Sequence, residues 1–297
     1  MNKEEALSIC RIYTRNDDPD EVDDLIYEES LQYLISRSDD PQYPLVSLGL
    51  HYGRQGRYDL AQKCYERAIE SDNLYAWLNL GDIWYYGKNG TVDYEKAFHC
   101  YHESMIRGDF CAAQQYADMY RDGLYVEKDY EHYKELINKL FFEIRNLTKL
   151  DEPVPEVYLR MARIHVEEGD LDDALPLYTH ARSFLEQRIS YSRNENNFLL
   201  MKEIIEDVYS IIPFDYTAFH FYDLYYFMNR SASIRFKCSD PEAEIQVNAI
   251  EENGNIYIKS EDKWYRSIHE YLQKSSLPGI SRLARIYDRL YDFEVIE

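Results

Sequence analysis

Residues 48–68 read Leu48-Gly49-Leu50-His51-Tyr52-Gly53-Arg54-Gln55-Gly56-Arg57-Tyr58-Asp59-Leu60-Ala61-Gln62-Lys63-Cys64-Tyr65-Glu66-Arg67-Ala68. Shifted by 113 positions, Gly56 falls on Gly169, Ala61 on Ala174, Tyr65 on Tyr178 and Ala68 on Ala181. A second register, at 36 positions, pairs Gly87 with Gly123, Asp93 with Asp129 and Tyr94 with Tyr130. Such self-similarity marks a repeat architecture. Each unit reads as two helices around a Gly-bearing turn. The first helices span Pro44 to Gly53, Tyr75 to Tyr86, Cys111 to Tyr120 and Glu156 to Glu167. The second span Tyr58 to Glu70, Tyr94 to Ile106, Tyr130 to Asn146 and Leu171 to Glu186.

Small residues in the first helices, Gly49, Gly81, Ala117 and Ala162, allow close approach to the second, where Ala61, Ala97 and Ala174 receive them. Large residues three positions on, Tyr52, Trp84, Tyr120 and His165, fill the remaining gap beside Tyr65, Tyr101 and Tyr178. A single hairpin cannot bury its apolar face, so such units stack.

The pattern Leu48-Gly49-x-x-Tyr52 followed by Ala61-x-x-x-Tyr65-x-x-Ala68 resembles a tetratricopeptide repeat. The longer turns 85–97 and 120–129 resemble its bacterial and eukaryotic cousin, the Sel-one-like repeat. The resemblance covers residues 43–188 and implies an α-solenoid. The third unit departs from it, with Ala117 and Tyr133 in place of Gly and Ala, and the linker Leu150 to Pro155 precedes the fourth.

Outside the repeats, Lys3 to Thr14 and Glu21 to Ile35 carry helical apolar periodicity and read as a capping pair over 1–40. Closing helices over 191–230 follow the repeats of 41–190: one from Asn194, stopped by Pro213, and an aromatic one to about Met228. The period then changes to two at Ile234 to Cys238 and Ile245 to Ala249, with Glu252-Asn253-Gly254-Asn255 as a turn before Ile256 to Ile258. Strand is expected within 232–260, then helices at Lys263 to Lys274 and Ile280 to Leu290, forming a small α+β module over 231–297. The ending Phe293 to Ile296 reads as a further strand or as a tail docked on the helices. The fold class is mainly α.

The composition agrees. Gly and Pro total 20 of 297 residues, too few for a turn-rich β sandwich. The formal charge of −22 argues against nucleic acid and anionic membranes as partners. The apolar stretch Ala218 to Met228 is interrupted by His220 and Asp223 and is shorter than a membrane span. The charged start Met1 to Glu5 is unlike a secretory signal, and five scattered cysteines form no Cys-x-x-Cys pair. Together these features point to the cytoplasm and to no structural disulfide.

Motifs for chemistry fail on their details. Gly87-Lys88-Asn89-Gly90-Thr91 lacks the Ser or Thr of a phosphate loop and follows a helix. His269-Glu270 has no second His, and no Gly-x-Ser-x-Gly elbow exists. His99, Cys100, His102 and Cys111 read as a core thiol and surface histidines rather than a zinc site. The acids Asp17, Asp18, Asp20, Glu21, Asp23 and Asp24 lack the Gly and distal Glu of a calcium loop and read as a helix start. Arg282, Arg285 and Arg289 read as a solvated stripe opposite Leu283, Ile286 and Leu290. No catalytic residue, metal or cofactor is expected.

Thirty tyrosines remain to be explained. Tyr52, Tyr65, Tyr101 and Tyr178 sit at interior repeat positions. The tetratricopeptide resemblance implies a concave groove lined by first helices, which here offers Tyr43, Leu50, Tyr75, Asp82, Tyr85, Tyr86, Gln114, Asp118, Arg121, Asp122 and Arg163. Exposed Tyr and Arg carry binding hot spots, whereas the same aromatics could instead pack between repeats. The expected function is a non-enzymatic scaffold that binds a protein or peptide in that groove. A second class is an acidic inhibitor or immunity-type protein that neutralises a basic nuclease toxin, because residues 1–40 hold 12 acids against 4 bases.

Overall fold

The computed structural model describes residues 1–15, 23–146, 154–191, 195–212, 221–224, 233–239, 242–252, 255–260, 262–266, 270–271 and 290–296. The chain divides into two compact units, Met1–Phe142 and Glu143–Glu297.

The first unit is helical: α1 (Lys3–Arg15), α2 (Asp24–Arg37), α3 (Gln42–Arg54), α4 (Tyr58–Ile69), α5 (Leu74–Tyr85), α6 (Tyr94–Ile106), α7 (Phe110–Asp122) and the start of α8 (Tyr130–Asn146). Helix starts are set by short polar side chains that accept otherwise orphaned N–H groups. Asn73 Oδ1 accepts from Ala76 at 3.1 Å, Asp93 from Lys96 at 3.0 Å and Asp109 from Ala112 at 2.8 Å. At the start of α2, Asp23 accepts from Leu25 N at 2.7 Å, the helix-start role expected of this acidic stretch. Residues 16–22 of that stretch lie outside the described residues. Gly123, at φ 70°, ends α7 in the left-handed conformation that a side chain would strain.

Helices α3 and α4 pack as a hairpin, as do α5 and α6, and α4 meets α5 while α6 meets α7, so successive hairpins stack. The small-residue positions have the predicted purpose. A Cβ on Gly49 would lie 2.4 Å from Tyr65 Cε1, and one on Gly81 would lie 2.6 Å from Tyr101 Cε1. Tyr65 and Tyr101 are buried, as are Ala61, Ala68 and Ala97. One apolar cluster joins Tyr27 and Leu31 of α2 to Leu45, Leu48 and Tyr52 of α3, Ala61, Cys64 and Tyr65 of α4, and Leu80 and Ile83 of α5.

The second unit contains α9 (Pro155–Glu168), α10 (Leu171–Tyr191), α11 (Glu195–Ile211), a 3-10 turn at Phe221–Asp223 and an antiparallel sheet. The strands are β1 (Ser233–Ser239), β2 (Glu242–Glu252), β3 (Asn255–Ser260), β4 (Lys263–Tyr265) and β5 (Leu290–Ile296), in the order β4-β3-β2-β1-β5. Helices α9 and α10 form a hairpin, again with buried Ala162, Ala174 and Tyr178, and Gly169 ends α9 at φ 83°. Strand β1 alternates as the period of two requires, with Ile234, Phe236 and Cys238 buried in the same cluster as Leu185, Ile204, Val247 and Ile258.

Two expectations for this unit need correction. Lys263 to Tyr265 do not begin a helix but pair with β3, with Tyr265 opposite Ile258 and Lys263 opposite Ser260. Trp264 and Tyr265 are strong strand formers. Pairing exposes Trp264 and buries Tyr265, which meets Tyr271 edge to face at 5.2 Å. Strand is also not confined to 232–260, because β5 pairs with β1, Ser233 opposite Ile296. Of the helix expected over 280–290 only Leu290 is described, and it begins β5. Most of the aromatic segment 213–228 and the arginine stripe 282–289 also lie outside the described residues.

Candidate partner-binding surface

Ten of the eleven expected groove residues lie in the first unit, nine on α3, α5 and α7 and Tyr86 at the cap just after α5. Arg163 lies in the second, on α9. Tyr43, Tyr75 and Tyr86 are 64, 51 and 55% exposed, and Leu50 is also exposed. Tyr43 and Tyr75 are the second residues of α3 and α5, and Tyr86 is the residue that caps the end of α5. The tyrosines at interior repeat positions, Tyr52, Tyr65 and Tyr101, are buried. The aromatic excess therefore separates into packing and surface groups by position in the repeat.

Around the end of α5, the Tyr85 ring is half-buried and meets Tyr86 edge to face at 4.9 Å and Tyr94 at 5.6 Å. Lys88 Nζ stands 5.1 Å from the centre of the Tyr86 ring. Beneath them, Tyr101 donates its hydroxyl proton to Asp82 Oδ1 at 2.9 Å. Burial raises the Asp82 carboxyl above its usual range, and this hydrogen bond opposes the rise.

One repeat on, Arg121 is committed within its own chain. Its Nε and Nη2 donate to the two oxygens of Asp122, both at 2.8 Å, and its Nη1 donates to Asp118 at 2.9 Å. The guanidinium also lies 5.5 Å from the centre of the Tyr133 ring. Asp118 and Gln114 are buried, so this part of α7 offers a fixed ion cluster rather than a loose cation. The hydrogen bonds to Asp122, the largest influence, raise the guanidinium pKa further. In the second unit, Arg163 is likewise paired, with Asp207 at 2.7 Å and Glu203 at 3.1 Å.

A polar knot that the sequence pattern did not single out joins α1, α2 and α3. Glu28 accepts from Tyr52 Oη at 2.8 Å, Gln32 Nε2 at 3.0 Å and Arg57 Nη1 at 3.1 Å. Buried His51 stands edge-on to Tyr13 and Tyr27, themselves stacked at 3.7 Å. The i, i+4 spacing of Glu28 and Gln32 was the available signal, but their partners are about 20 to 30 residues away.

Among the described residues, one group has ligand atoms close enough for a metal: His165, Asp170 and Asp173, within 4.8 Å of one another. Asp170 Oδ1 there accepts the Asp173 N–H at 3.3 Å, which is helix capping at the start of α10. Cys100 is buried and His99 exposed, on different sides of α6, as a core thiol beside a surface histidine requires. No described helix is long and apolar enough to cross a membrane.

Stacked helical hairpins, closed by small-to-large contacts and displaying aromatics on their first helices, define a helical-repeat fold. The tetratricopeptide repeat family model matches residues 46–92, which cover most of α3, all of α4 and α5, and the turn after α5. No curated protein matches the chain. Solved structures similar to it include a Sel1 repeat protein from Oxalobacter formigenes, at 16% identity and TM-score 0.47, covering 71% of this chain and 89% of that one. Another is c5321, described as a protective antigen of uropathogenic Escherichia coli with an SLR fold, at 16% identity and TM-score 0.46, covering 71% of this chain and 50% of that one. A third is PilW, described as a type IV pilus biogenesis factor, at 12% identity and TM-score 0.44, covering 72% and 95%.

Proposed function

We propose that the protein is a non-catalytic interaction scaffold of the cytoplasm that binds a partner protein or peptide along the first helices of its repeats. The supporting observation is the exposure of Tyr43, Tyr75 and Tyr86 on α3 and at α5, while tyrosines of the hairpin seams are buried. Large rigid rings bury much area at little entropic cost, which makes them effective anchors. Tyr85, Asp82 and the Arg121 cluster hold the surface in shape between these anchors. With a chain charge of −22, the partner in this reading is basic, and its association slows as salt screens the attraction.

The test is site-specific photo-crosslinking at positions 43, 75 and 86, with position 66 on the exposed side of α4 as control. One basic partner should crosslink at 75 and 86 and not at 66. Tyr75→Ala with Tyr86→Ala should then weaken its binding by at least tenfold at an unchanged melting temperature, the scale of hot-spot loss. A partner that crosslinks only at 66, or binds the double variant as tightly as the parent, refutes the reading.

A further inference from the structure

On the second helices of the first unit lies a cleft of about 410 Å³, lined by Gln32, Ile35 and Ser36 of α2, Leu48 and Tyr52 of α3, and Leu60, Lys63, Cys64 and Arg67 of α4. Its floor is apolar: Leu48 and Cys64 are buried, and Ile35 and Leu60 pack half-buried against the same core. Its rim is polar and cationic.

The charges on that rim are unusual for this chain. Lys63 and Arg67 stand one turn apart on α4, where like charges repel. Both are exposed, and neither forms an ion pair among the described residues, although the chain carries 55 acids against 33 bases. Glu28 of α2 is already satisfied by Tyr52, Gln32 and Arg57. The cleft thus joins two cations that form no ion pair among the described residues to an apolar floor, with Asp59 and Glu66 the acids of the same helix and Glu70 its C-cap.

We infer that this cleft is a binding site for a small amphipathic carboxylate, its head between Lys63 and Arg67 and its aliphatic body on Ile35, Leu48, Leu60 and Cys64. The head relieves the like-charge pair, and the body covers the part of Ile35 and Leu60 that is not yet buried. The volume favours a small molecule: it lies within the roughly 300–1,000 Å³ of ligand pockets. A protein partner needs about 800 Å² of buried surface on each side, far more than the cleft presents. The site is independent of the aromatic surface on the first helices, so either assignment can fail alone.

The experiment is a methyl-resolved NMR titration of the full chain with sodium octanoate, kept below micelle formation, alongside 1-octanol and acetate. Octanoate should shift the methyls of Ile35, Leu48 and Leu60 saturably. Octanol, which lacks the charge, and acetate, which lacks the body, should bind at least tenfold more weakly. Lys63→Gln with Arg67→Gln should weaken octanoate by at least tenfold at an unchanged melting temperature, since both side chains are exposed. Unmoved methyls, octanol binding as tightly as octanoate, or unaltered affinity in the double variant would each overturn the assignment. So would a short Glu-Leu peptide that saturates the cleft more tightly than octanoate, which would make the occupant a protein segment.

Discussion

Replacing Gly81 by alanine tests the packing rule on which the repeat rests. The new Cβ would lie 2.6 Å from Tyr101 Cε1, 2.8 Å from Cδ1 and 3.3 Å from Cys100 Cβ. Carbon atoms in contact prefer about 3.5–4.0 Å, so the ring must retreat by roughly 1 Å. Tyr101 is fully buried and its hydroxyl is bonded to Asp82 at 2.9 Å, so retreat strains that bond or opens the α5–α6 seam. Overpacking costs about 1–3 kcal/mol, and a hydrogen bond to a charged group contributes about 1.5–3 kcal/mol. Against this, alanine gains about 1 kcal/mol over glycine in helix propensity. The net expectation is a loss of about 1–3 kcal/mol, and more for Gly81→Leu. Gly53 is the control, because a Cβ there meets only Tyr58 Cε1 at 4.0 Å, an ordinary contact. Gly53→Ala should therefore gain up to about 1 kcal/mol. Urea unfolding followed by the fluorescence of Trp77 and Trp84, in a Trp264→Phe background, confines the reading to the first unit. A Gly81→Ala midpoint at or above the parent's refutes the small-to-large account of the hairpin.

Two further outcomes follow from the same unit. Burial, the largest influence, lowers the His51 pKa, so the unfolded chain binds a proton more readily than the folded one. Stability should accordingly fall as pH drops below about 6.5, the unfolded value, and His51→Phe should flatten that fall in urea unfolding at pH 7.5 and 5.5. An equal loss in parent and variant would remove His51 from the account. Arg121→Ala should destabilise the unit by about 1–3 kcal/mol, since buried Asp118 loses its cation, and Asp118→Asn in the same chain should restore part of it. Additive losses in that double-mutant cycle would show that the pair is not coupled.

The repeat was legible because its information is local. Gly49 and Tyr65, or Gly81 and Tyr101, lie within one hairpin, and the steric need that joins them is written as small and large residues at a fixed spacing. Helix starts were equally readable, since Asp93 and Asp109 act on N–H groups three residues away. The third unit preserves the logic by exchange: the register places buried Tyr133 at a small position and buried Ile137 at a tyrosine position. Tyr43, Tyr75 and Tyr86 were recognisable as surface aromatics for the same reason: repeat position separates them from the seam.

What tertiary structure alone decided depends on partners far away in sequence. Lys263 to Tyr265 become a strand because β3 presents unpaired backbone groups beside them, and Leu290–Ile296 because β1 does, some 55 residues earlier. Arg121 has the composition of a binding anchor, but its neighbours Asp118 and Asp122 each claim part of its fork, through Nε, Nη1 and Nη2. Lys63 and Arg67 share a cleft with Ile35 and Ser36 of α2, residues that only the folded chain brings beside them. A sequence states which groups carry charge or apolar area. Whether a group is spent on a neighbour or left for a ligand is decided by distances that only the folded chain creates.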